Sequence, residues 1–150
     1  METVPQVRRL TDDDVPRVLE VLDLSRLSPG ATTSPTGFYV VAWDGGTPLG
    51  HAHLALTDPP EMQDVLVAEG ARGRGVGRAL VEALLHETRA LGADRLRLTV
   101  SEDNAAARAV YARLGFTDTG LPPYRVHGTI QIRSGPIEVD DTLLTLERPV

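Results

Sequence analysis

The chain has 150 residues, the size of one ordinary domain, with 41% hydrophobic and 24% charged residues, a balance that lets a water-soluble protein bury its own core. It has no cysteine, which excludes a disulfide scaffold, a thiolate nucleophile and a cysteine-ligated zinc site. The formal charge of −6 argues against a nucleic-acid or anionic-membrane binder, which carries a basic face, and is compatible with a cationic substrate. No apolar run approaches the ~20 residues of a membrane helix, and the N-terminal METVPQVRRLTDDD lacks a signal peptide's apolar stretch. A full-length cytoplasmic chain, with no nucleic-acid or membrane partner, is the expectation. All 15 basic residues are arginines; a guanidinium keeps its charge at ordinary pH and grips phosphate with two parallel donors.

In chain order, Gln6–Leu10 reads as a short strand. Thr11 and Asp12–Asp14 supply N-cap chemistry, and Val15, Val18, Leu19 and Leu22 then recur at helical spacing. Ser25–Gly37, rich in Ser, Thr, Pro and Gly, is expected to be a loop. Phe38–Trp43 and Leu49–Leu56 are strands joined by a hairpin turn at Asp44-Gly45-Gly46, and Glu61–Val67 is a further strand. Strand alternation predicts Glu61, Gln63, Val65 and Val67 on one face.

A glycine- and arginine-rich loop, Gly70–Gly77, leads into a strongly amphipathic helix. Val76, Leu80, Val81, Leu84, Leu85, Thr88 and Leu91 share a face, and Gly92 ends it. Arg95–Val100 alternates as a strand, and a second helix lies within Ser101–Leu114, starting near Asp103 or Asn104. Phe116–Thr119 is a short strand, Leu121–Pro136 a long connection with some strand at Thr129–Ile132, and Val139–Glu147 the last strand. There is no internal repeat and no linker, so residues 1–150 read as a single domain. Consecutive strands imply antiparallel hairpins and the later helices imply crossovers, giving an α/β fold with a mixed sheet.

The stretch Val65–Leu80, VLVAEGARGRGVGRAL, is a strand running through a glycine-rich loop into a helix. Free N–H groups and the dipole at a helix start favour a phosphate. Gly73, Gly75 and Gly77 let backbone approach a ligand closely, and Arg72, Arg74 and Arg78 add charge-assisted donors. A P-loop would need a lysine after the glycines, and the dinucleotide fingerprint needs a different glycine spacing.

Arg72-Gly73-Arg74-Gly75-Val76-Gly77 resembles the R/Q-x-x-G-x-G/A signature of GNAT-type N-acetyltransferases. Asn104 through Phe116 is similar to that family's N-x-x-A-x-x-x-Y-x-x-x-G-F block. The order of elements from Gln6 to Glu147 resembles the same fold. Ala68-Glu69-Gly70-Ala71 stands where many members place a proline. The resemblance implies a central mixed, mostly antiparallel sheet of six to seven strands with three to four helices packed on both faces. It implies an enzyme that moves the acetyl group of acetyl-CoA to a primary amine of a small molecule or peptide, by direct attack in a ternary complex. The alternative is a non-catalytic acyl-CoA-binding module. A homodimer is a further expectation from the resemblance.

By the same resemblance, backbone near Leu66 and Val67 holds the pantetheine arm, Arg72 to Arg78 hold the pyrophosphate, and Asn104 lies beside the cofactor. Tyr111 is the acid that protonates the leaving thiolate, a role its phenol suits. Glu61, eleven residues before Arg72, is the leading base. His51 and His53 share a strand face and are alternative bases or substrate ligands. No third metal ligand is placed by the sequence, so no metal is expected. The acceptor pocket is expected from Ser25–Gly37, the end of the His51 strand and Leu121–Pro136, where Tyr124, Arg125 and His127 are chemically rich. Asp58 and Asp64 are candidates to pair with a cationic acceptor.

Overall fold

The apolar run at 38–43 is buried on both faces, so this strand must be covered on both sides. The computed structural model describes residues 5–27, 33–34 and 36–150. Its elements are β1 (Gln6–Arg9), α1 (Val15–Leu19), β2 (Thr33–Ser34), β3 (Gly37–Asp44), β4 (Thr47–Ala55), β5 (Glu61–Val67), α2 (Val76–Ala90), β6 (Arg95–Ser101), α3 (Ala105–Arg113), β7 (Thr117–Asp118), β8 (Tyr124–Ile132) and β9 (Gly135–Pro149). Phe38, Val40 and Ala42 join Leu54, Leu96 and Leu98 in a core against Val76, Leu80, Val81 and Leu84 of α2. Tyr39, Val41 and Trp43, on the opposite side of β3, pack with Leu10, Val18, Leu22 and Leu24 around α1. Two layers of helix thus sandwich one sheet, as the alternation requires.

The sheet has nine strands in the order β1-β3-β4-β5-β6-β9-β7, with β2 on β3 and β8 on β9. Two of them, β2 and β7, are two residues each, so the longer strands match the six to seven expected. Every pairing is antiparallel except β5 with β6. That parallel pair has one register match, Glu61 with Arg97, and beyond it the two strands diverge. The divergence follows a bulge: His53 pairs with Gln63 but His51 with Leu66, so β5 carries an extra residue. Asp64 absorbs it at φ 49°.

The bulge corrects the expectation that Glu61, Gln63, Val65 and Val67 share one face. An inserted residue shifts a period-2 pattern by one. Glu61 and Gln63 face the α1 side and are joined by a 2.7 Å hydrogen bond, while Val65 and Val67 pack toward α2.

Three further boundaries differ from expectation. α1 ends at Leu19, because the chain turns away and reaches φ 47° at Leu24; Leu22 is buried all the same. Leu91 lies past the last turn of α2 and is 50% exposed. The segment expected as mostly loop after Leu121 is a nine-residue strand, β8, paired along its whole length with a fifteen-residue β9. Of the expected loop Ser25–Gly37, residues 28–32 and 35 lie outside the described residues.

Candidate active site

A cleft of about 340 Å³ opens between β5, α2 and α3. Val67, Gly77, Arg78 and Tyr111, all singled out from sequence, line it. So do Val65, Val81, Val110 and Leu114, which sequence reasoning missed because an apolar residue lining a cleft carries the same periodicity as one in a core, and Arg113 in the last turn of α3.

The loop before α2 fits an anion. Gly75 is the N-cap with φ 78°, and no side chain caps the helix, so the first-turn N–H groups keep their donors free. Gly73 also has positive φ, 79°. A Cβ built on Gly73, Gly75 or Gly77 meets nothing within 4 Å, so the backbone there faces open space. The surrounding guanidiniums of Arg72, Arg74 and Arg78 are exposed, and Arg74 is held 3.3 Å from Asp44. Val76 is different: its side chain is 1% exposed and in the core, so only its backbone can meet a ligand. The Leu66 side chain likewise packs on the α1-side core.

Asn104 accepts a 3.0 Å hydrogen bond from the Ala107 N–H and caps α3. Tyr111 follows two turns later on that helix. Its ring meets Phe116 edge-on at 6.0 Å, and burial pushes its phenol pKa up, so the group stays a proton donor through neutral pH.

The α1 side carries a polar cluster under the loop after α1. His51 is fully buried. Its Nδ1 lies 2.8 Å from the Asp64 carbonyl and its Nε2 accepts the Leu24 N–H at 3.1 Å. These bonds fix the neutral Nδ1–H tautomer, and burial drives the pKa down. The Asp64 carboxylate accepts from the Tyr39 hydroxyl at 2.6 Å and the Ser25 N–H at 3.0 Å. Burial, aided by that carboxylate, pushes the Tyr39 pKa far up.

His51 therefore corrects the sequence reading. His51 Nε2 and one carboxylate oxygen of Asp64 hold residues 24–25 to the sheet, while His51 Nδ1 bonds to the Asp64 carbonyl of the neighbouring strand. No ring nitrogen of His51 is left to take a proton from an acceptor, whereas the Asp64 side chain is 18% exposed. His53 is half-buried, stacks edge-on with Tyr39 at 4.8 Å, and leaves its Nδ1 without a hydrogen bond. Burial lowers its pKa too. Glu61 stands on the same face as His53 and outside the cleft that contains Tyr111, at the point where β5 and β6 begin to part. Tyr124 is 44% exposed at the root of β8. Asp58 borders a separate groove beside Leu56 and Leu91.

Residues 5–116 match the family model described as the Acetyltransferase (GNAT) family. The chain belongs to the GNAT family. It is 42% identical over 78 residues to a mycothiol acetyltransferase of Corynebacterium glutamicum, covering 50% of this chain and 26% of that protein. It is 38% identical over 102 residues to the N-alpha-acetyltransferase RimI of Mycobacterium tuberculosis, 63% of either chain. The chain thus spans about a quarter of the first relative's length. Among solved structures, a streptothricin acetyltransferase homologue of Bacillus anthracis, crystallised with acetyl coenzyme A, superposes with a TM-score of 0.73 over 99% of both chains at 15% identity. That likeness is one of GNAT fold. Among the described residues, no helix is long and apolar enough to cross a membrane, and no three metal-ligating side chains converge.

Proposed function

We propose that this GNAT chain, one domain over residues 1–150, is a cytoplasmic N-acetyltransferase that moves acetyl from acetyl-CoA to a primary amine in a ternary complex. The observation that carries the reading is the uncapped start of α2, with open Gly73 and Gly75 before it and open Gly77 in its first turn, leading into the cleft that holds Tyr111. In this reading the loop N–H groups and Arg72, Arg74 and Arg78 hold the pyrophosphate, and Asn104 borders the cofactor at the start of α3. The backbone of Leu66 and Val67, on the edge of β5 that β6 leaves unpaired, holds the extended arm.

The chemistry needs a deprotonated amine, a polarised thioester carbonyl and a proton for the departing sulfur. The amine nitrogen bonds to the carbonyl carbon as the carbon–sulfur bond breaks. Tyr111 Oη gives its proton to the sulfur, and the amine's proton leaves through Glu61, directly or by water. His53, with one unpartnered ring nitrogen on the Glu61 face, is the second candidate on that path. Tyr124 borders the acceptor side. One relative is named for mycothiol and another for an N-alpha amine, so similarity does not choose the acceptor.

The test is thiol release from acetyl-CoA across a panel of amines and peptides, with melting temperature read in the same wells. The chain's lack of cysteine removes background from a thiol dye. Amine-dependent release establishes the transferase. Stabilisation without release supports a non-catalytic acyl-CoA-binding module instead. Neither signal from folded protein refutes the cofactor site. Glu61→Gln then checks the base: an unchanged pH–rate profile removes Glu61 from the path.

A further inference from the structure

Among the described residues, two that are not glycine carry a positive φ: Leu24 at 47° and Asp64 at 49°. A leucine rarely takes this conformation, so something must hold it there. Both residues are gripped by the same side chain. His51 Nε2 accepts the Leu24 N–H at 3.1 Å, and Nδ1–H donates to the Asp64 carbonyl at 2.8 Å. One buried imidazole thus bridges two points of backbone strain, one in the loop after α1 and one at the bulge of β5.

The grip runs along the loop. Three successive N–H groups, of Leu24, Ser25 and Arg26, are accepted by three strands: by His51 Nε2 from β4, by an Asp64 carboxylate oxygen from β5 at 3.0 Å, and by the Tyr39 hydroxyl from β3 at 2.6 Å. The loop in turn carries the tip of the β8–β9 hairpin. The Arg133 N–H donates to the Ser25 carbonyl at 2.8 Å, its Nε donates to the Asp23 carbonyl at 2.8 Å, and its guanidinium lies 3.3 Å from the Asp23 carboxylate. The root of the hairpin is paired to β6, with Leu143 against Ser101. The hairpin therefore leaves the sheet at β6 and lands on a loop fixed to β3, β4 and β5, crossing the gap where β5 and β6 part.

Of the three acceptors, the imidazole is the one that titrates near neutral pH. Neutral, it offers Nε2 a lone pair for Leu24. Protonated, it has a donor on both nitrogens, and the Leu24 N–H then faces another N–H in a buried site. The ionisable groups around the ring are the Asp64 carboxylate from β5, 3.9 Å from Nδ1, Tyr39 from β3, edge-on at 5.2 Å, His53 on β4, and Asp23 and Arg26 on the loop. The cross-strand partners Val41 and Leu66 carry no charge. Asp64 and Asp23 favour the charged ring, but burial outweighs them and lowers its pKa.

We propose that His51 is a proton-operated clasp: neutral, it holds residues 24–26 and, through Arg133, the hairpin tip against the sheet; protonated, it lets both go. The strained φ of Leu24 is relieved on release and adds to the drive. The opening is confined to the α1 face, because the bonds that make the clasp join the loop, β3, β4, β5 and the hairpin tip, and α2 with its glycine loop packs across the sheet.

The experiment is residue-resolved amide hydrogen exchange at about pH 7.5 and about pH 5, either side of the ordinary histidine value, in the wild type, His51→Gln and His53→Gln. A glutamine amide offers one acceptor and one donor group without titrating. Comparing proteins at one pH cancels the intrinsic pH dependence of exchange. At the acid pH the amides of Leu24, Ser25, Arg26 and Arg133 are expected to exchange about tenfold faster in the wild type than in His51→Gln, the cost of leaving one buried donor unsatisfied. At the higher pH no difference is expected, and His53→Gln keeps the acid opening. In the wild type alone, the midpoint of the opening is expected to coincide with titration of the His51 ring signals, which tests the clasp even if a variant does not fold. Equal exchange in folded wild type and His51→Gln at the acid pH, an opening that follows His53, or acceleration spread evenly through α2 and β6 overturns the proposal. A last arm rests on the transferase reading: acidification is expected to raise KM for the amine more in the wild type than in His51→Gln, with acetyl-CoA affinity alike in both. The protonation of the amine itself is common to both proteins and cancels. Acetyl-CoA affinity that falls in the wild type alone overturns the confinement to the α1 face. Absence of release with every amine refutes the transferase reading, and the exchange comparison still decides the clasp.

Discussion

Gly77→Ala separates fold from ligand at the cofactor loop. Gly77 is the second residue of α2, and it is absent from the glycines with positive φ. A Cβ there meets nothing within 4 Å, so alanine fits without strain. Replacing glycine in a helix stabilises by roughly 0.5–1 kcal/mol, and by the lower part of that range in the first turn. For a chain of this size, with about 2–4 °C per kcal/mol, the melting temperature is expected to rise by about 1–3 °C. Binding moves the other way. Gly77 lines the cleft, and the new methyl fills space that a phosphate on the helix start would use. Losing one charge-assisted hydrogen bond, about 1.5–3 kcal/mol, weakens acetyl-CoA binding by roughly tenfold or more. Gly75→Ala cannot make this separation, because φ 78° strains any Cβ by about 1–2 kcal/mol. Calorimetry with acetyl-CoA and thermal melting of the same preparation check both signs. A more stable variant with wild-type affinity would refute the assignment of the loop.

Tyr111→Phe keeps the ring on Phe116 and removes only the acid, so kcat is expected to fall by about 10²–10⁴-fold while acetyl-CoA affinity measured by calorimetry stays within about threefold. Leu80→Ala empties a fully buried position between α2 and the sheet and is expected to cost about 2–5 kcal/mol in denaturant melts; a smaller loss would mean that the core collapses around it. His51 is buried neutral, with its pKa lowered by burial. A depressed histidine contributes stability that is complete above its unfolded value of about 6.5 and is lost as pH falls toward the folded value. Melting temperature is therefore expected to drop on acidification from about pH 6.5, and His51→Gln is expected to flatten that drop, with the remainder left to His53.

The elements that were legible in the sequence are those whose signal is local. Glu61–Val67 matches β5 residue for residue, and Val76 opens α2 as its apolar stripe indicated. The glycine loop, Tyr111 and the Asn104 cap were readable for the same reason: each is defined by neighbours in sequence. The bulge at Asp64 was not. Nothing in the residues EMQDVLV marks which one leaves the pleat; it is fixed by His51 and Ser25, far away in sequence. The β8 strand was hidden by Gly128 and by its solvent-facing residues, and its edge is satisfied by β9 rather than by its own propensity. The role first given to His51 failed on burial, which no sequence period reports for a single polar residue.

On the proposed reading, the bulge also explains how cofactor and amine can approach from opposite faces of one sheet. A regular β5 would pair with β6 along its whole length and seal the layer. One extra residue twists β5 away after Glu61, as bulges do. An internal strand edge is then left with unpaired N–H and C=O groups, an arrangement that needs covering. On the proposed reading, the amide-bearing arm of acetyl-CoA supplies that cover from the α2 side, while the hairpin roofs the same gap from the α1 side. The opening is thus the place where a thioester from one face can meet an amine from the other. The Tyr39–Asp64–His51 cluster would then serve catalysis without touching substrate, by holding that opening at a fixed width.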